Sequence, residues 1–207
     1  MEVDKDRLTN LLWPDAEGDL AYRSFVTTVH RLRKLLGDPE ALRLSDGKLT
    51  LDNRYCWVDA WAFERILGHS DECIRQKKTE AAGKFMKRGL ALYRGRFLDG
   101  EREASWTVSP AERLRGKFLK GASWLGRYLE GTQAWDDAAA HYEQCLGADD
   151  CIEDTYRRLM VCYDRLGRKG EALAIYERCR KTLSSVLGIN LSAETEAVRA
   201  SLSEKIS

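Results

Sequence analysis

Five side chains at helical spacing carry the clearest chemical signal in this sequence. With residues 20–36 placed at 100° per residue, Arg23, Thr27, His30, Arg31 and Lys34 gather on one side. Tyr22, Phe25, Val29, Leu32 and Leu36 form an apolar stripe opposite, which predicts burial. Four basic residues and no acidic one lie between Leu20 and Leu36. Arginine and histidine reach base edges in the B-DNA major groove, and lysine and threonine reach phosphates. The chemistry on offer is recognition of DNA, not the making of bonds. A solvated and partly basic surface helix would carry a similar face, and His30 alone reads as a solvated group.

Little in the chain points to catalysis. The sequence holds no G-x-S-x-G, no glycine-rich phosphate loop, no G-x-G-x-x-G and no H-E-x-x-H. Asp136-Asp137 and Asp149-Asp150 are expected at helix starts, where negative charge suits the helix dipole. His69 is a weak candidate for any role, and His141 is expected to be structural. The six cysteines lack C-x-x-C spacing and read as small buried hydrophobes in a reducing cytosol. With the histidines scattered, no metal or cofactor site is expected, and an enzyme is not.

The elements that must position the basic row occupy the first 57 residues. Asp4 to Trp13 predicts a short helix stopped by Pro14, and Asp15 to Asp19 a polar turn before the longer 20–36 helix. Leu42 to Leu51 alternates in polarity around Asp46-Gly47, a strong hairpin signal. Helix, turn, longer helix and hairpin is the order of a winged helix-turn-helix, with Arg43 and Lys48 on a wing able to reach the DNA backbone.

The rest of the chain repeats. Residues 138–145 and 172–179 lie 34 positions apart and agree at five of eight. Small residues recur at Ala138/Ala172 and Cys145/Cys179, and an aromatic at Tyr142/Tyr176. That period resembles the tetratricopeptide repeat, in which paired helices pack closely where small side chains face each other. Trp61–Lys78 and Thr79–Tyr93 predict a third hairpin with Ala82 in the place of Ala138. The spacing of 56 then implies an insert of roughly 22 residues, about Arg94 to Ser109. Glycines make that insert irregular, with Phe97, Leu98 and Trp106 as expected anchors, and Ser109-Pro110-Ala-Glu112 predicts the next helix start. Helices are expected at 110–131, 134–147, 151–166 and 169–187, with a closing helix at 193–205 capped by Ser192. By repeat phase, Lys120, Arg127, Arg157 and Asp164 are candidates to line a partner-binding groove.

Of the 207 residues, 43% are apolar and 32% charged, with a net charge of +1, which gives no overall drive toward nucleic acid or anionic membrane. The average hides structure, since residues 1–57 carry nine basic and ten acidic groups while 20–36 carries only basic ones. No apolar run reaches the length of a membrane span, and the charged start is no signal peptide.

Several stretches resemble one family. Val3-Asp-Lys-Asp-Arg-Leu-Thr-Asn-Leu-Leu-Trp-Pro-Asp15, Leu32-Arg-Lys-Leu-Leu-Gly37, Val58-Asp59 with Phe63, Ala91 to Leu98, Trp106, Glu112-Arg113 and Leu166 to Leu173 are similar to the bacterial transcriptional activator domain with its attached winged helix. Streptomycete antibiotic regulatory proteins and MalT-like regulators have this architecture. The resemblance implies a mainly α fold: a truncated OmpR-type winged helix-turn-helix with one β-hairpin wing at 1–57, then tetratricopeptide-like hairpin repeats at 58–207. It implies that 20–36 is the recognition helix and 42–52 the wing. Arg23, Thr27, Arg31 and Lys34 would then face DNA, with Arg33 and Lys48 at phosphates. The repeats would act in dimerisation, intramolecular docking or partner binding. Such winged helices normally begin with a small sheet and a first helix, and here three residues precede the 4–13 helix. A C-terminal segment of a longer, cytoplasmic regulator is therefore expected, with Leu8, Leu12, Phe25 and Val29 short of cover. Promoter DNA and an upstream domain, a protein partner or a second copy are the expected partners. The alternative is a tetratricopeptide scaffold that binds a peptide and no DNA.

Overall fold

A computed structural model describes residues 2–98 and 105–204, which divide into two compact units between Ala62 and Phe63. In the first, β1 (Glu2–Asp4) leads into α1 (Lys5–Leu12) and α2 (Gly18–Leu36). A single 3-10 turn at Pro39–Ala41 then precedes β2 (Leu42–Ser45) and β3 (Lys48–Leu51). The expected hairpin is present: Ser45 pairs with Lys48, and Asp46 and Gly47 take φ of 51° and 72°. Two left-handed residues match the twist of a two-residue hairpin, which is why Asp-Gly serves.

The sheet has a third strand that sequence patterning does not reveal. Glu2, Val3 and Asp4 pair antiparallel with Thr50, Leu49 and Lys48, giving the order β1-β3-β2. Asp4 then caps α1, its Oδ1 accepting from the Asp6 and Arg7 amides at 2.9 and 3.0 Å. Phe25 and Val29 pack with Leu42, flanked by Leu8, Trp13, Leu36, Leu49 and Leu51. The expectation that Phe25 and Val29 lack cover is therefore wrong, because the β2–β3 hairpin and α1 supply it. Leu12 does stay exposed. Tyr22 and Leu32 correct the predicted stripe, at 50% and 39% exposed. A sheet of short strands covers only the middle of the stripe, and Tyr22 lies under the ammonium of Lys5, 5.2 Å from its ring centre.

The second unit is helical: α3 (Asp59–Arg75), α4 (Thr79–Leu90), α5 (Ser105–Gly131), α6 (Trp135–Ala148), α7 (Glu153–Arg165), α8 (Lys169–Thr182) and α9 (Ala193–Glu204). A π-helical turn at Leu183–Leu187 follows α8 and ends at Gly188, φ 65°. Three hairpins share one phase. Ala82, Ala138 and Ala172 are fully buried, and five residues before each stands a left-handed residue: Lys77, Gln133 and Gly167, with φ of 57°, 58° and 72°. The next amide closes each turn on a carbonyl five residues back: Lys78 on Cys73, Ala134 on Leu129, Arg168 on Tyr163. The Ser70 hydroxyl donates to the Ala82 carbonyl at 2.9 Å and so joins α3 to α4.

Around the insert the helix starts earlier than expected. α5 begins at Ser105 and holds Pro110 in its second turn, where one amide bond is missing but the first turns make few. Trp106 and Leu98 are exposed and Phe97 half-buried, so the first two are not anchors, while residues 99–104 lie outside the described residues. Asp136 and Asp137 do start α6, but Asp149 ends it and pairs with Arg115 at 2.7 Å. Cys145, Cys162 and Cys179 are buried, their thiols pushed up to about 12 by desolvation, whereas Cys56, Cys73 and Cys151 are half-exposed. His141 is buried with Nε2 donating to the Ala122 carbonyl at 2.9 Å, and burial lowers its pKa.

Two substitutions test the hairpin geometry. A Cβ at Gly126 would overlap the Tyr142 hydroxyl, so Gly126→Ala should destabilise by about 1–3 kcal/mol in a denaturant titration. Gln133→Gly relieves a left-handed side chain and should raise the melting temperature by roughly 2–4 °C.

Candidate nucleic-acid interface

The basic row survives as a surface. Helix α2 ends at left-handed Gly37, and Phe25 and Val29 hold its inner side on the sheet. Arg23, Thr27, His30, Arg31 and Lys34 are all exposed. None of the five has an ion pair or side-chain hydrogen bond among the described residues. No carboxylate stands three or four residues from His30 or Arg31, and Asp19 and Asp38, four residues from Arg23 and Lys34, form no ion pair with them.

The remaining candidates of the first unit are already engaged. Arg33 is half-buried, and its Nε donates to the Leu42 carbonyl at 2.8 Å. It therefore fastens α2 to β2 through one of its guanidinium N–H groups. Arg43 on β2 pairs with Asp52 at 3.1 Å, and Lys48 on β3 with Glu2 at 3.7 Å. Both wing cations remain exposed beside their carboxylates.

Asp52 is the residue that sequence reasoning missed. Only 7% exposed, it accepts from the Arg54 amide and guanidinium and from Arg43. Its own amide bonds the Ala41 carbonyl at 2.9 Å, and its carbonyl accepts from Tyr55 and Cys56. The Arg54 side chain and amide, with Arg43 behind them, hold its carboxyl well below the usual carboxylate range. An aspartate two residues before an arginine at a strand end was the one available hint.

In the second unit a groove of about 450 Å³ lies among α3, α4 and α5, lined by Leu67, Met86, Lys117, Lys120 and Trp124 among others. Lys120 is the one of four candidates that lines it. Arg127 instead donates to Ser123 Oγ, and Arg157, half-buried, pairs with Asp154 at 2.5 Å. Asp164 is half-buried and engaged. Arg127 lies about two turns beyond Lys120 on α5, and Arg157 and Asp164 lie on α7. Among the described residues no cluster of His, Cys, Asp and Glu could hold a metal, and no helix is long and apolar enough to cross a membrane.

Residues 58–203 match the model of the bacterial transcriptional activator domain, well over half of the chain. The chain belongs to that family. It is a non-enzymatic family of transcription regulators. No curated protein sequence matches the chain. Among solved structures, EmbR of Mycobacterium tuberculosis, in complex with a low-affinity phosphopeptide, is similar in fold, with a TM-score of 0.66 over 99% of this chain at 22% identity. The chain spans 55% of EmbR's length. The activator domain thus accounts for the helical hairpins, and α2 with its sheet precedes it.

A carboxyl held below its unfolded value stabilises the fold above about pH 4 and loses that contribution as pH falls through its folded pKa. Protection of the Asp52 amide, which bonds the Ala41 carbonyl, against hydrogen exchange should therefore fall on acidification below about pH 4. In Asp52→Asn exchange should be faster at neutral pH and flatter with acid; equal pH dependence in both proteins would remove Asp52 from this role.

Proposed function

We propose that this chain is a promoter-reading segment of a bacterial transcription regulator. In this reading residues 1–57 are a partial winged helix-turn-helix and 58–207 the activator domain. The observation that carries it is the exposed α2 row of Arg23, Thr27, His30, Arg31 and Lys34, none of it neutralised, in a chain of a transcription-regulator family. Unpaired guanidinium groups are free to bond the O6 and N7 of guanine in a bidentate fork. Lys34 and Thr27 are suited to phosphates beside the bases read. Lys48 would exchange the exposed Glu2 carboxylate for a phosphate, and an exposed pair is worth about 0–1 kcal/mol, so that exchange costs little, whereas Arg43 would have to leave the buried Asp52 to Arg54 alone. Arg33 acts as the strut that keeps β2 against α2.

The repeats would transmit or assemble: dimerisation, or relay from an upstream domain of the same polypeptide or from a protein partner. A cytoplasmic location, beside the chromosome, goes with that work. A second reading rests on the 450 Å³ groove with Trp124 and Lys120 on its walls, and makes the chain a scaffold for a partner peptide that binds no DNA.

Selection from a random duplex library separates the two. The promoter-reading segment enriches one sequence, and Arg23→Ala and Arg31→Ala each lower preference for it by about tenfold or more with the melting temperature unchanged. Absence of any enriched sequence for the wild-type chain sinks the promoter reading and leaves the scaffold.

A further inference from the structure

The densest charge in the molecule lies outside α2. Between Ile74 and Phe97 the chain carries eight basic residues and one acid, Glu80. They span the end of α3, the turn, α4 and the segment after it: Arg75, Lys77, Lys78, Lys84, Lys87, Arg88, Arg94 and Arg96. All eight are exposed. Arg75 pairs with Glu72, Lys84 with Glu80 at 2.7 Å and Lys87 with Asp137 at 3.9 Å. Lys77, Lys78, Arg88 and Arg94 have no ion partner among the described residues. Helix α4 turns Ala82, Gly83, Met86, Gly89 and Leu90 inward, which leaves Lys84, Lys87 and Arg88 on its outer side within about 6 Å of axis.

We propose that this face of the first hairpin binds the phosphate backbone of DNA flanking the sequence that α2 reads. The proposal rests on the promoter reading above. The outer side of α4 favours phosphate over an acidic protein because, unlike the groove that holds Trp124, it carries no anchor. Between Trp57 and Leu98 no large apolar side chain is exposed, and Phe85 is turned toward His69, with ring centres 5.8 Å apart. Protein interfaces depend on buried aromatic or aliphatic anchors and are poor in lysine. Backbone contact with DNA needs only spaced cations and the release of counter-ions. The two cationic surfaces share one polypeptide, so engagement of α2 raises the local phosphate concentration at α4. The patch adds affinity and salt dependence without sequence preference.

The test uses the whole chain and compares Lys77→Gln, Lys78→Gln, Arg88→Gln and Arg94→Gln together with the wild type. Binding to the enriched duplex and to a random duplex of equal length is followed by fluorescence anisotropy from 50 to 300 mM salt, about the range over which counter-ion release dominates. The glutamine variant should bind both duplexes about tenfold or more weakly at 0.1 M salt, with the ratio between them unchanged. Its log–log salt slope should flatten by about 2–4, close to one per phosphate released. A variant that swaps the same four positions between lysine and arginine should behave as wild type, which separates lost charge from lost fold. Equal affinities and slopes for wild type and glutamine variant overturn the proposal while the preference of α2 stands. A flattened slope in a chain with no sequence preference upholds the patch and overturns the promoter reading. Binding to polyglutamate but to neither duplex overturns both, and assigns the face to an acidic protein.

Discussion

The closeness of paired helices is the constraint on which the helical unit depends. Ala82, Ala138 and Ala172 have no exposed surface, and a Cβ at Gly89 or Gly121 would meet Leu67 or Met86 of the neighbouring helix. Helices that approach this far leave room for nothing larger at the crossing, so bulk moves to the grooves between hairpins, where Tyr142, Tyr156, Leu159 and Met160 fill the core. Tyr142 carries a hydroxyl into that core, and Glu130 accepts from it at 2.5 Å while Arg158 holds Glu130 at 2.9 Å. Burial and the adjacent carboxylate keep the phenol protonated, so it remains a donor. One polar chain thereby fixes α5, α6 and α7 in register, with every buried side-chain nitrogen and oxygen among the described residues satisfied.

Because the core consumes small and apolar residues in a fixed rhythm, charge is free to vary on the outside. In the first unit that freedom is divided. Arg33 and Arg43 are drawn into the framework, one to a carbonyl and one to Asp52, while the α2 row forms no ion pair among the described residues. Arg33 holds β2 against α2 and Arg43 ties β2 to the residue after β3, while the unpaired arginines are left with their hydrogen-bonding capacity turned outward. Residue type alone does not distinguish the two groups, since both are arginines within twenty positions of each other.

Periodic features were legible in the sequence for this reason, and aperiodic ones were not. The phase of 34 located the two later hairpins, and Asp46-Gly47 located the wing, because each reflects a geometry that few residues satisfy. Strand β1 is three residues long, too short for any alternation to register. The start of α5 was masked by Pro110, a residue that usually opens a helix and here sits inside one. Lys77 and Gln133 gave no glycine to mark their turns. The partners of the candidate cations were the least legible part, because Lys48 and Glu2, or Arg115 and Asp149, are brought together only by the fold. The groove candidates suffered similarly: repeat phase placed two residues on α5 and two on α7, but the groove among α3, α4 and α5 takes only Lys120.

The net charge of +1 is best understood through those pairings. Lysine and arginine number 34 against 33 acids, yet most of the carboxylates that find a partner meet it in the helical unit, between or along helices. The acids are spent there in holding helices together, as Glu64 is by Arg113 and Lys117. Along the sequence basic residues outnumber acids most heavily in two runs, 20–36 and 74–97, each nearly free of acid. A chain with an evenly basic surface would adhere to any polyanion at low salt. Confining the excess to one helix face and one hairpin limits that attraction to surfaces of defined shape, and lets the protein stay close to neutral as a whole.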